Sequence, residues 1–194
     1  MANVDAAFGF RPVRHMNGTP YTGQGIKCFV DSDYATNLFV GDPVDYDTTD
    51  ANMDPTAKHP TVILGTAASP ILGFIQSIEP IRTDLYKQYI PASTGGYVYV
   101  CMDPTVIFQG QDNGAGAAVT TWPGTNATIV TGTGSTTTGL SGWEIAGSSP
   151  ATTNTLDVHV LQLANFEDNE LSDYAIWDVM INNYRLANQI AGIL

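Results

Sequence analysis

The stretch YVYVCMDPTVIFQGQDNG, Tyr97 to Gly114, sets two strand-sized apolar runs on either side of Asp103-Pro104 and ends in a polar, glycine-containing turn. Both runs are rich in β-branched and aromatic residues, and each alternates. Val98 and Val100 fall on one side of the first run, and Val106 and Phe108 on one side of the second, so all four are expected to be buried. An Asp-Pro pair between two such runs is a turn signal. The stretch therefore predicts a framework hairpin rather than a site for chemistry.

The same pattern repeats outward from it. Short apolar or alternating segments recur at 26–30, 38–46, 61–64, 71–79 and 85–90, separated by breakers such as Gly41-Asp42-Pro43, Asp54-Pro55, Ser69-Pro70 and Glu79-Pro80. No helical period runs through this region, so the fold class expected is all-β, a compact β-sandwich or barrel-like domain. Pro43 inside a strand-like run points to an edge or a bulge. The segment 155–163, TLDVHVLQL, alternates cleanly. AIWDVMINNYRL, 175–186, alternates too, with a helix through Trp177, Met180, Ile181 and Tyr184 as its competitor.

Two stretches break the pattern. Residues 1–25 mix aromatics, prolines and glycines without a period and read as an extended N-terminal arm, with Phe8, Phe10, Arg11 and Arg14 as candidate partner-binding residues. Residues 111–149, with GTGSTTTG at their heart, read as a long Gly/Thr/Ser-rich loop region and a possible inserted subdomain. An unsupported loop of that length is uncommon, and Trp122, Ile129, Val130, Leu140, Trp143 and Ile145 would pin it. The expected organisation is thus the arm, a β-rich domain over 26–186, and a C-terminal tail over 187–194.

Composition excludes several function classes. The 194 residues carry a formal net charge of -12, with all seven basic residues at Arg11, Arg14, Lys27, Lys58, Arg82, Lys87 and Arg185. Neutralising phosphates needs clustered cations, so no nucleic-acid partner and no anionic membrane surface is expected. The first residues lack the apolar core of a signal peptide, and no apolar run reaches the length of a membrane span. Cys28 and Cys101 stand far apart without a CxxC pairing and read as buried, reduced thiols, although a disulfide remains open.

Constellations for chemistry are weak. Asp157 and His159 would share one strand face, the arrangement of an imidazole and its orienting carboxylate, but no G-x-S-x-G elbow supplies a nucleophile. Asp45, Asp47, Asp50 and Asp54 form the densest acidic run. Counting from Asp45 puts Thr49 and Asp50 where a calcium loop needs an oxygen ligand followed by glycine, so a solvated turn is expected there. GTGSTTTG has no following lysine and no strand-to-helix context, so it is no phosphate cradle. Trp122, Trp143 and Tyr97 could form a carbohydrate platform. On these grounds no catalytic residue, metal or cofactor is expected, and the chain is not read as an enzyme.

Five strings, AFGFRPVRH at 7–15, LFVGDPV at 38–44, ILGFIQSIEP at 71–80, YVYVCMDPTVIFQGQ at 97–111 and GTGSTTTGLSGWEI at 132–145, resemble head decoration or cement proteins of tailed bacteriophages. That resemblance implies a structural virion protein, made in the host cytoplasm and found on the capsid surface. Its partners would be the major capsid protein and further copies of itself, a homotrimer favoured, and its role would be to stabilise contacts between capsid subunits. A head fibre, head-completion or tail component is the alternative, and a glycan-binding module a more distant one.

Overall fold

A computed structural model describes residues 3–48, 53–116 and 118–187. The twelve strands are β1 (Arg11–His15), β2 (Ile26–Val30), β3 (Pro43–Tyr46), β4 (Val62–Leu64), β5 (Gly73–Ile78), β6 (Gly96–Cys101), β7 (Val106–Gln111), β8 (Asn126–Ala127), β9 (Ile129–Val130), β10 (Glu144–Ile145), β11 (Val158–Leu163) and β12 (Ile176–Ile181). They form one five-stranded sheet in the order β1-β7-β12-β11-β8, a second in the order β2-β6-β5-β3-β4, and a two-stranded ribbon of β10 and β9. All strand pairs are antiparallel, and the sheets pack as a sandwich rather than a closed barrel.

The stretch at 97–114 folds into strands but not into a hairpin. β6 pairs with β2 and β5 in the second sheet, whereas β7 pairs with β1 and β12 in the first. The Asp103-Pro104 corner carries the chain across the sandwich. Asp103 Oδ1 accepts from both the backbone N–H and the hydroxyl of Thr105, at 2.7 Å each, which fixes the corner as an Asx turn. Strand periodicity gave the buried set correctly, but it carries no information on which strands pair. Val98 and Val100 point into one core and Val106 and Phe108 into another.

Those two cores lie on opposite faces of the second sheet. Phe74 and Ile75 are neighbours on β5, yet Phe74 joins the cluster that contains Phe108, Trp177, Val158 and Ile145, and Ile75 joins the one that contains Val30, Leu38, Val98 and Val100. Phe74 stacks on Phe10 with ring centroids 4.5 Å apart and meets Phe108 edge-on at 4.8 Å, so β5 of one sheet is fastened to β7 of the other and to the residue that leads into β1 by aromatic packing.

Other expectations change. Residues 85–90 are turns rather than a strand; Ile90 alone makes a β-bridge, with Leu38, and packs into the second core. β3 lies between β5 and β4, so Pro43 is not on an edge. It opens the strand, where its missing N–H costs nothing, and its carbonyl accepts from Gly65 at 2.9 Å. The segment 175–186 holds strand β12, not a helix. Of the 187–194 tail, only Ala187 is among the described residues. Among those residues, no helix is long and apolar enough to cross a membrane.

The long 111–149 segment is built into the sandwich. Its strand β8 extends the first sheet beside β11, and Trp122, Ile129, Trp143 and Ile145 join that sheet's core. Leu140 is exposed, though its backbone bridges Val40.

Candidate functional site

The supposed arm is where sequence and structure differ most. Arg11–His15 is strand β1, hydrogen-bonded along β7, and Phe10 is wholly buried against Phe74 and Gly110. Phe10 is therefore a core residue, not a partner anchor. Two phenylalanines around a glycine, followed by Arg-Pro, carry no sequence mark that tells an anchor for a partner from an anchor for the chain's own core.

The two arginines are engaged within the sheet. Arg11 donates through its Nε and a terminal nitrogen to Gln109 Oε1, at 3.2 and 3.0 Å. Gln109 Nε2 in turn donates to Asp178 Oδ1 at 3.1 Å, while Arg14 and Gln162 both donate to Asp178 Oδ2 at 2.9 Å. These residues stand on β1, β7, β12 and β11, so one polar ladder crosses four strands on the face turned away from the core. Asp178 is buried, and three donors satisfy it. Phe8 remains half-exposed beneath the Arg11 guanidinium, whose carbon lies 4.8 Å from the ring centre.

Asp157 and His159 do not form a dyad. Asp157 is buried just before β11 and accepts from the backbone N–H groups of Ala68 and Ile129 at 3.0 and 2.9 Å. His159 faces the other way, with Nδ1 2.7 Å from Asn126 Oδ1. Burial raises the Asp157 carboxyl above its ordinary range, partly offset by those two donors. Its work is to tie the 66–69 turn and β9 to the start of β11.

The acidic run is likewise structural. Asp45 makes a two-pronged ion pair with Arg185, and Asp47 is buried. Asp50 lies outside the described residues. Asp54, expected in a solvated turn, is also buried, and its carboxylate accepts from Thr56 Oγ1, the N–H groups of Lys58 and His59, and Tyr97 Oη. Burial opposes its ionisation, but the four donors outweigh burial and hold the carboxyl far below its usual range. Among the described residues no cluster of three or more His, Cys, Asp or Glu side chains is placed to hold a metal ion.

Trp122 and Trp143 are each only 4% exposed and pack in the first core, Trp122 stacking on Trp177 at 4.9 Å. They cannot form a carbohydrate platform, which leaves Tyr97 alone of the three. Tyr97 lines a surface depression of ≈ 440 Å³ with Phe29, Glu79 and Arg82, where the Lys27 ammonium lies 4.1 Å from its ring centre and pairs with Glu79 at 2.6 Å. Cys28 and Cys101 are free and buried in different cores, and burial pushes the Cys28 thiol up to about 12.

Among the described residues, sequence reading missed the most exposed apolar feature, the Leu85-Tyr86 tip between β5 and β6, because its apolar spacing resembled a strand. The flanking Asp84 and Lys87 were the available signal. Comparison with family models, with curated proteins and with solved structures found no match for this chain.

Proposed function

We propose that this protein is a structural component of a tailed-phage head that binds the outer face of the icosahedral shell and stabilises contacts between major capsid subunits. The reading rests on the resemblance of the five sequence strings. The observation that supports it most is that those strings, scattered over 7–145, meet at one seam.

Phe10 N–H donates to the Gly41 carbonyl at 3.0 Å, Gly41 N–H to that of Ile75 at 2.7 Å, Val40 N–H to that of Gly139 at 2.9 Å and Ser141 N–H to that of Val40 at 2.8 Å. The Phe10–Phe74–Phe108 stack closes the same seam. Residues that resemble a family across so many separate segments, and that converge on a packing seam, favour a role carried by the framework over one carried by a catalytic cleft. The net charge of -12 suits a surface that must stay soluble when crowded on a particle.

The test is a count. Quantitative mass spectrometry of purified virions should find this chain in fixed ratio to the major capsid protein, and recombinant chain should rebind stripped particles and raise their dissociation temperature. A handful of copies per particle would move the protein to a vertex or tail. Absence from the particle would sink the reading.

A further inference from the structure

The connection between β5 and β6 ends in a rigid knob. Its base is anchored: Ile81 and Ile90 lie in the second core, the buried Tyr89 stacks on Phe39 at 5.1 Å, and Leu38 and Ile90 exchange backbone hydrogen bonds at 2.9 Å each. Between these anchors the chain makes two successive turns. Asp84 N–H donates to Ile81 at 3.1 Å, Lys87 N–H to Asp84 at 3.4 Å, and Tyr86 N–H to the Asp84 carboxylate at 3.2 Å. These bonds hold Leu85 and Tyr86 out in solvent, 73% and 97% exposed. Asp84 and Lys87 flank them directly, with Arg82 just before Thr83.

A tyrosine and leucine held by turn hydrogen bonds, with Arg82 and Lys87 outweighing Asp84 in charge, form a surface that gains on desolvation and loses little entropy when it docks. Its complement is an apolar cleft with an acidic rim, and the chain carries one. On the other sheet, Val4, Phe8, Phe166 and Tyr174 line a cleft of ≈ 380 Å³ with Asp168 and Arg11 also in its wall, the Arg11 guanidinium held over Phe8 and tied to Gln109. Glu167, Asp173 and Asp168 are exposed beside it, and Asn3 ties the loop down by donating to the Glu170 carbonyl at 2.9 Å and accepting the Glu170 N–H at 3.0 Å. Val4 and Phe166 are open to solvent.

We propose that the Leu85-Tyr86 knob docks into the Phe166 cleft of a second copy of this chain. Knob and cleft share no residue and belong to different sheets, so each copy offers one of each. The interface is therefore heterologous, and it builds a closed ring or an open chain of copies. The knob carries Arg82 and Lys87 against Asp84, and the cleft and its surroundings carry Glu167, Asp168 and Asp173 against Arg11, so the two surfaces are opposite in net sign and this pairing is favoured over like meeting like in a protein of net charge -12. The proposal stands whether or not the protein belongs to a phage particle.

Sedimentation of the full chain over a range of concentration should show reversible self-association that weakens as salt rises. Tyr86→Ala in the knob, and Phe166→Ser or Asp168→Lys in the cleft, should each weaken it by about tenfold or more. Circular dichroism should show both variant types folded, and Asp168→Lys, a surface change, serves if Phe166→Ser does not fold. A mixture of a knob variant with a cleft variant should form dimers and stop there, because one intact knob then meets one intact cleft. A wild type that stays monomeric overturns the proposal, and so does association that Tyr86→Ala leaves unchanged. If Tyr86 proves necessary for binding phage shells while the free chain remains monomeric, the occupant is a shell protein and the second-copy assignment is wrong.

Discussion

At the scale of single residues, glycines and misplaced carboxylates govern the molecule. Gly9 and Gly41 pack back to back in the left-handed region, with φ of 72° and 95°, and a β-carbon on Gly41 would sit 2.7 Å from the Phe8 carbonyl oxygen. Gly18 has a similar φ of 86° but open space around it. Gly18→Ala should therefore cost only the backbone strain, about 1 kcal/mol, and Gly41→Ala that strain plus a clash at the seam, about 3 kcal/mol or more, read by urea unfolding. Equal losses would mean that the seam relaxes around the new methyl group.

Glu144 is the second case. Burial, with Asp5 and Asp112 nearby, lifts its carboxyl from 4.5 to about 7, and its Oε1 has no hydrogen-bond partner. The folded state then holds a proton that the unfolded state releases, so stability falls as pH rises from about 4.5 to 7 and the loss is complete above that range. Glu144→Gln removes the loss. Discounted for partial exposure, the gain is about 1 kcal/mol, or about 2–4 °C in Tm at pH 8, vanishing near pH 4. A variant that melts with wild type at both pH values would show that Glu144 is solvated. None of this was legible in the sequence, where a lone glutamate next to Trp143 looks like any other surface charge.

At the scale of elements, the strands were legible and their partners were not. Alternation marks a strand and its buried side at 97–102, 105–109 and 155–163, because a two-residue period follows from the backbone alone. Pairing is a long-range choice, and Asp103-Pro104 serves a hairpin corner and a sheet-to-sheet crossing equally well. The same limit explains β1. Phe10 and Arg11–His15 read as a loose arm because the strand they join, β7, lies almost a hundred residues away. Deleting residues 1–14 should therefore unfold the protein rather than trim it, removing the Phe10 packing and an edge strand at once; circular dichroism of a folded, cooperatively melting truncation would contradict this. The polar ladder gives a milder test. Asp178→Ala strands the Gln109 and Gln162 amides and Arg14 in one step and should cost about 2–4 kcal/mol. Asp178→Asn keeps an acceptor and should cost less.

At the scale of the whole molecule, the all-β class and an acidic surface with few basic residues followed from composition, whereas the cleft and knob did not. A cleft made by residues 4–8, 166–168 and 174 exists only once β1, β7 and β12 lie side by side, and no local pattern announces it. The same assembly fixes how the protein responds to acid. Asp54 and Asp103 have carboxyls held low by hydrogen bonds, so the stability they add is present above their ordinary pKa and is lost as pH falls below it. Asp42, lifted by burial to about 6, and Glu144 act in the opposite sense, destabilising the fold progressively between about pH 4 and 7. Self-repulsion among nineteen carboxylates against seven cations adds to the second trend and fades toward the isoelectric point near 4.2. Thermal stability should consequently peak in mild acid, about pH 4.5–5.5, rather than at neutrality. Melting followed by intrinsic tryptophan fluorescence across pH 3–9 measures it directly, with added salt to separate the two contributions: salt should raise Tm at pH 8 by screening the surface charge but leave the part due to buried Asp42 and Glu144 in place. A maximum at pH 7 or above would mean that these carboxyls ionise freely in the folded chain and that the seam and ribbon around them are open to water.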